Sequence, residues 1–308
     1  MTRESGGGSP PLAGDFVSTL LEPLAQMQVP RRRGEQRSPE RLRLHYLVER
    51  QLADRLRAAE GPAARRAIFA TMYDELFRLV PDHPRLLAKG AATEERARDI
   101  QWDLAQLTPY LARDCAFLEI GAGDCKLSCA VAATARQVYA VDISNQSQGV
   151  LPANVQVVLT DGQSVDVPPG SVDVAFSDQL MEHLHPDDAI EQLRNIHRAL
   201  RPGGVYVCIT PNRLYGPSDI SAYFDDEARG FHLREYTLRE MREIFARAGF
   251  PRLHVYVGAR GWFLRCPAAI VQGVERLLEK LPARTRRRVA DNRVLRALLG
   301  LRVAAIKA

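Results

Sequence analysis

Two acidic side chains and a pair of glycines carry the first chemical signal in this chain. The run Phe117-Leu-Glu-Ile-Gly-Ala-Gly-Asp124 reads as a strand carrying Glu119 that turns tightly through Gly121-Ala-Gly123 into a helix. Glycine at such a turn lets a ligand lie against bare backbone, where a Cβ would collide with it. The helix start beyond the turn offers free N–H groups and the positive end of the helix dipole. Asp142 stands 21 residues after Gly121, at the tip of the next strand, Gln137-Val-Tyr-Ala-Val141. A carboxylate there can accept hydrogen bonds from both hydroxyls of a ribose. The dinucleotide fingerprint places a third glycine three residues after the second, and here that place is Lys126. A ligand with a ribose but no pyrophosphate therefore fits better.

These residues need strands and helices to position them, and the pattern from Cys115 onward supplies both. Strand-like runs fall at 116–120, 138–141, 155–159, 172–176, 205–209 and 253–257, with helices near 124–134, 186–200 and 238–248. Alternating strand and helix predicts a mostly parallel sheet with helices on both faces. Thr237-Leu-Arg-Glu240 is a capping box that opens a helix, and Gly249 closes it. Before this region, Ser38-Pro39-Glu40 signals a helix start. Further helices are expected from about Pro62 to Val80 and from Thr93 to Leu111, together covering one side of the domain. The expected organisation is a disordered tail over residues 1–37, a helical N-terminal cap over 38–112 and an α/β domain over 113–308. A helical insert over 258–299 separates the last two strands, the final one near 302–307.

The chain has 308 residues, 46% of them hydrophobic, which suffices for one large domain with a smaller helical attachment. No apolar run approaches the roughly 20 residues of a membrane span. The N-terminus is rich in Gly, Ser and Pro without the apolar stretch of a signal peptide, so a cytoplasmic location is expected. The five cysteines form no C-x-x-C pair, which argues against a disulfide framework or a zinc ribbon. From Thr93 to Val257 there are 15 Lys/Arg against 23 Asp/Glu, while the rest of the chain carries 27 against 14. An acidic core with basic flanks is not the footprint of nucleic-acid binding, and no nucleic-acid partner is expected.

Together, four blocks in order resemble the class I S-adenosylmethionine-dependent methyltransferases, the small-molecule branch in particular. They are Leu118-Glu-Ile-Gly-Ala-Gly-Asp-Cys-Lys126, Val141-Asp-Ile-Ser144, Thr160-Asp-Gly-Gln163 and Val172-Asp-Val-Ala-Phe-Ser-Asp-Gln-Leu-Met-Glu-His-Leu184 followed by Leu200-Arg-Pro-Gly-Gly204. The resemblance covers Cys115 to Val257 and implies a Rossmann-like, seven-stranded methyltransferase fold with S-adenosyl-L-methionine as cofactor and a small-molecule acceptor. It also implies roles. Glu119, Gly121 and Gly123 would surround the methionine part, and Asp142 would hold the ribose. Asp161, with Gly162 beside it, would meet the adenine amino group, and Ser177 and Gln179 would border the sulfonium. Cys125 stands where that family usually has a third glycine, which implies reduced room rather than lost binding.

Methyl transfer from a sulfonium needs the acceptor atom in line at roughly 3–3.5 Å. A hydroxyl acceptor benefits from a base, and an amine must be neutral. His183, His185 and His232 are the candidate bases, with His183 and His232 the catalytic choices and Glu182 beside them. His183-x-His185 lacks an evident third ligand, so no metal is expected. A methyltransferase fold that only binds, and a nucleic-acid methyltransferase, are the competing readings. The Ser177-Asp-Gln-Leu180 run after the fourth strand, in place of Asn/Asp-Pro-Pro-aromatic, counts against the latter. In the 258–299 segment an apolar helical face precedes the arginines at 284 and 286–288, which offers weak contact with an anionic membrane surface; a helical pair packed on the sheet edge is the simpler expectation.

Overall fold

The structure, a computed structural model, describes residue 29 and residues 35–88, 93–147 and 149–308. The expected tail over 1–37 lies almost wholly outside the described residues.

The chain enters through two long helices, α1 (Pro39–Ala58) and α2 (Gly61–Leu79). Ser38 caps α1 by accepting the N–H of Arg41, and Pro39 sits where a helix has no use for an N–H. A short α3 (Pro84–Ala88) and α4 (Thr93–Leu107) lead into the sheet. Then follow β1 (Ala116–Ile120), α5 (Lys126–Ala132), β2 (Gln137–Asp142), β3 (Val155–Leu159), β4 (Val172–Asp178), α6 (Pro186–Ala199) and β5 (Leu200–Thr210). After a long loop come α7 (Leu238–Arg247), β6 (Arg252–Ala259), β7 (Trp262–Cys266), α8 (Ala268–Glu279), α9 (Ala283–Ala290), α10 (Arg293–Leu299) and β8 (Leu301–Ile306).

The strands form one sheet in the order β3-β2-β1-β4-β5-β8-β6-β7. The first five neighbours are parallel, and β8 runs antiparallel between β5 and β6. β1 is buried at all five positions, as a central parallel strand must be. Phe117, Val138, Val174 and Phe176 pack under Leu107 of α4 and Leu127 and Val131 of α5. The opposite face, with Leu118, Val141 and Ala175, packs under Leu193 and Ile196 of α6, Met241 and Phe245 of α7 and Val271 of α8. The strand order reverses between β1 and β4, and such a switch point opens a ligand crevice at the carboxyl ends of the two strands.

Three expectations need correction. The sheet has eight strands, not seven, and the start of the expected helical insert, residues 258–259 and 262–266, is strand. Arg260 and Gly261 adopt positive φ (56° and 82°), and this turn folds β7 back on β6 as an extra edge strand. Helices fill the remainder, from Ala268 to Leu299. The N-terminal helices also divide differently. Only α4 lies on the sheet. α1 and α2 bury Val48, Leu52, Leu56, Met72 and Leu76 against each other and against Phe231 of the loop after β5. Arg65 of α2 pairs with Asp188 of α6, both side chains buried, and locks this pair of helices to the domain. No helix among the described residues is long and apolar enough to cross a membrane.

Candidate active site

The glycine turn is built at the end of β1 by hydrogen bonds to β2. The N–H groups of Gly121 and Ala122 donate to the Val141 carbonyl at 2.8 and 3.2 Å. Gly121 and Gly123 have φ of 78° and 51°, the left-handed region that glycine enters at little cost. A Cβ on Gly121 would come within 3.3 Å of the Leu180 side chain, whereas one on Gly123 would meet nothing within 4 Å. The turn thus borders open room. Cys125 takes the left-handed conformation too, at φ 60°, with its side chain buried and its thiol 3.8 Å from the Gly123 carbonyl. Asp142 is held by two amides: Gly123 N–H donates to Oδ2 at 2.8 Å and Ser144 N–H to Oδ1 at 3.1 Å.

Glu119 is buried on the α5 side, where its Oε2 accepts from the Ser128 hydroxyl at 2.5 Å. Burial pushes its carboxyl up to about 7, against the pull of Ser128 and Arg96. Nearby Asp103 of α4 is pushed up to about 8, by burial first and then by the charge of Asp178. Arg96 pairs with Asp124 at 3.0 Å. This corner therefore concentrates carboxyls that burial disfavours as anions, and a cation placed among them would relieve that cost. Sequence reasoning missed Asp103. Its signal was present, since it takes the i+3 place in the apolar stripe of Ile100, Leu104 and Leu107.

At the far end of Asp142 lies Ile143, an apolar side chain 42% exposed, near which a Cβ on Gly162 would sit at 4.0 Å. Asp161 Oδ1 accepts from the N–H groups of Gln163 and Ser164 at 3.0 and 2.7 Å, and Oδ2 lies 3.4 Å from Arg66 of α2. Gly162 has φ 90°, and its carbonyl accepts from Gln192 at 2.8 Å.

Beyond β4 the residues separate. Ser177 is fully buried, with its hydroxyl 2.7 Å from that of Tyr206, so it can offer the crevice only backbone. Gln179 has φ 49° and is exposed, its N–H donating to Ile209 at 3.0 Å. Leu180 follows, and a single 3-10 turn, Met181–His183, presents Glu182 and His183. His185 goes elsewhere: its ring caps α6 by accepting the N–H of Asp187.

His183 and His232 stand edge to face, ring centroids 4.9 Å apart. His183 Nδ1 donates to the Phe231 carbonyl at 2.9 Å, since a carbonyl can only accept. Burial, followed by the charge of His232, depresses its pKa to about 3, so it is a neutral imidazole at physiological pH. His232 Nδ1 lies 2.7 Å from Glu235 Oε1. Burial disfavours its charged form, but the Glu235 hydrogen bond and the carboxyls of Asp219 and Glu182 outweigh this and raise its pKa. Glu182 is wholly buried and pushed up to about 7 by burial, with Oε2 accepting from Thr210 at 2.9 Å.

A parallel sheet with this strand order, a glycine turn after β1 and an acid at the tip of β2 define a class I, Rossmann-like methyltransferase. A family model described as "Methyltransferase domain" matches residues 92–255, more than half of the sequence, and the chain belongs to that family. A "probable S-adenosylmethionine-dependent methyltransferase" of Mycolicibacterium smegmatis is 33% identical over 146 residues, 46% of this chain and 54% of that protein. Phosphoethanolamine N-methyltransferase 1 of Caenorhabditis elegans is 28% identical over 147 residues, 46% of this chain and 30% of that protein. The chain thus spans about half the length, or less, of these curated relatives. Among solved structures, a chain of the Haloferax volcanii complex containing the Trm112 methyltransferase activator superposes with a TM-score of 0.50 at 17% identity. That match covers 71% of this chain and 94% of the other, and it shows the fold.

Proposed function

We propose that the chain binds S-adenosylmethionine and transfers its methyl group to a small-molecule acceptor. The observation that carries this is Asp142, fixed by Gly123 and Ser144 beside an open glycine turn. An ionised carboxylate has about four lone-pair sites. Two are used by the amides, and two remain for the vicinal hydroxyls of a ribose. The residues present fit the cofactor at its other parts as well. Glu119 and the acidic corner with Asp103 suit its ammonium and sulfonium charges, and exposed Ile143 gives the adenine face an apolar partner. Asp161 Oδ2 would serve the adenine amino group by sharing with Arg66. Gln179 borders the reacting centre, and Ser177 does so by its backbone alone.

The cofactor, when bound, supplies a methyl already activated by the sulfonium. The chain has to hold the acceptor in line, exclude water and receive a proton. Glu182, His183 and His232 form the acceptor end, where His183 keeps an Nε2 lone pair free because Nδ1 is committed to Phe231. The acidic balance of the core and the name of the Caenorhabditis elegans relative support a small molecule over a nucleic acid. The intact Asp142 cradle supports an enzyme over a fold that only binds partners. Calorimetry with S-adenosylmethionine and S-adenosylhomocysteine tests the reading. Binding of both, weakened about 10–100-fold in Asp142→Ala, is expected; absence of binding to either by the folded wild-type chain refutes it.

For the membrane-surface contact of residues 258–299, exposed Trp262, Leu264, Ile270 and Leu277 supply apolar side chains and α9 supplies arginines. Co-sedimentation with anionic vesicles, compared with a Trp262→Ser, Leu264→Ser variant, tests it.

A further inference from the structure

Among the described residues, two clusters bring two imidazoles and one carboxylate within 4.8 Å of one another: His45, Glu49 and His83, and Glu182, His183 and His232. Their hydrogen bonds give them opposite chemistry. An imidazole that ligates a metal through Nε2 must carry its proton on Nδ1, and that N–H needs an acceptor.

The first cluster fails this requirement twice. His45 Nδ1 lies 2.8 Å from the guanidinium of Arg37, a group that only donates. His83 Nδ1 accepts the N–H of Arg85 at 3.1 Å. Both rings therefore carry their proton on Nε2 and aim it at Glu49 Oε1, at 2.7 and 3.5 Å. Glu49 Oε2 accepts the N–H of Phe231 at 3.2 Å. Every ligating atom is spent, and the cluster is a closed hydrogen-bonded brace.

The second cluster meets the requirement twice. His183 Nδ1 donates to the Phe231 carbonyl and His232 Nδ1 to the Glu235 carboxylate, so neither Nε2 is committed to a hydrogen bond, and His232 gives up any second proton there when it ligates. Glu235 is itself fixed, because the same Oε1 accepts the N–H of Ser218 at 2.7 Å. The third group points the same way. Glu182 is 0% exposed, its Oε2 is taken by Thr210, and its Oε1 has no hydrogen-bond partner at all. An unpartnered carboxylate oxygen in the interior is costly unless a cation or donor occupies the space before it.

We propose that Glu182, His183 and His232 bind one divalent transition-metal ion of the zinc class. Two imidazoles and a carboxylate suit that ion, which sits about 2.0–2.2 Å from such ligands. The carboxylate behind His232 and the carbonyl behind His183 are the partners that orient metal-bound histidines. Three protein ligands leave a coordination position open, as in sites where zinc meets a substrate oxygen. The cluster begins two residues beyond Leu180, which packs beside Gly121, so it adjoins the proposed cofactor turn. That the open position serves the acceptor rests on the function proposed above; the binding of the ion does not.

The test uses tag-free, full-length chain stripped with a chelator and titrated with Zn2+ against a chromophoric competitor, and with Co2+ followed by visible absorption. One equivalent of Zn2+ and a Co2+ band of a low-coordinate nitrogen–oxygen site are expected. His232→Gln and Glu182→Gln should lose both, Glu235→Gln should weaken Zn2+ by about 10–100-fold, and His83→Gln should bind as wild type. Circular dichroism and S-adenosylhomocysteine binding show which variants are folded. Wild-type chain that binds no Zn2+ overturns the proposal whatever the variants do, and so does a site lost in folded His83→Gln but kept in His232→Gln. Zinc binding without S-adenosylhomocysteine binding would refute the proposed function and leave the ion site standing. The reverse result would do the opposite.

Discussion

The N–H of Gly123 and Oδ2 of Asp142 lie 2.8 Å apart, so the turn after β1 and the tip of β2 are one hydrogen-bonded unit. Removing the carboxylate removes both the ribose contacts and the anchor of the turn. Asp142→Ala should raise the dissociation constant for S-adenosylhomocysteine by about 10–100-fold, the equivalent of one or two charge-assisted hydrogen bonds. Titration calorimetry reads this directly, and affinity within twofold of wild type would contradict the assignment.

The two turn glycines should respond differently to alanine. Both sit at positive φ, where a Cβ costs about 1–2 kcal/mol. Only at Gly121 does the added carbon also press on Leu180, at 3.3 Å. Gly121→Ala should therefore lower the Tm by more than Gly123→Ala, with losses of about 3–6 °C and 2–4 °C. Differential scanning fluorimetry of the two proteins side by side decides the order.

Asp103 makes stability depend on pH. Its folded pKa of about 8 lies above the ordinary 3.8, so the native state holds a proton that the unfolded chain releases. The stabilisation is complete below the unfolded value and drains away as pH rises through the folded one. Asp103→Asn should accordingly be most stabilising at about pH 8 and above, with the Tm advantage shrinking steadily toward pH 5. An advantage that grows on acidification would contradict this.

Histidines 183 and 185 lie two apart yet should behave unlike each other. His185 caps α6, and replacing it with alanine should cost about 0.5–1 kcal/mol of stability with kcat preserved. His183→Gln, a change at the acceptor end of the crevice, should keep the fold and lose about 100-fold in methyl transfer through lost positioning of the acceptor. Parallel melting and turnover assays separate the two.

The buried pair of Arg65 and Asp188 should be expensive to break from one side. Arg65→Met leaves a carboxylate without its partner in the interior, a loss of about 3 kcal/mol. Arg65→Met with Asp188→Leu should recover part of it, as urea midpoints would show.

The sheet was legible because parallel strands buried on both faces read as near-continuous apolar runs, as Ala116–Ile120 and Val172–Phe176 do with a single acid each. The acids at strand tips were legible because strand ends and chain spacing fixed them. β7 was not, since Trp262 and Leu264 are exposed and its pairing with β6 depends on a turn at Arg260-Gly261 rather than on a buried face. The partners of His183 were hidden for another reason. Sequence proximity pointed to His185, which the onset of α6 turns away, while His232 and Glu235 arrive from a loop that only the fold brings near. α1 and α2 were recognisable as helices, but their periodicity does not say that their apolar face meets Phe231 rather than the sheet.

Phe231 gives its N–H to Glu49 of α1 and receives on its carbonyl the proton-bearing nitrogen of His183. The entry helices and the reacting pocket are therefore mechanically in series through a single residue. A displacement of α1 that carried Phe231 with it would move the acceptor of the His183 Nδ1 proton.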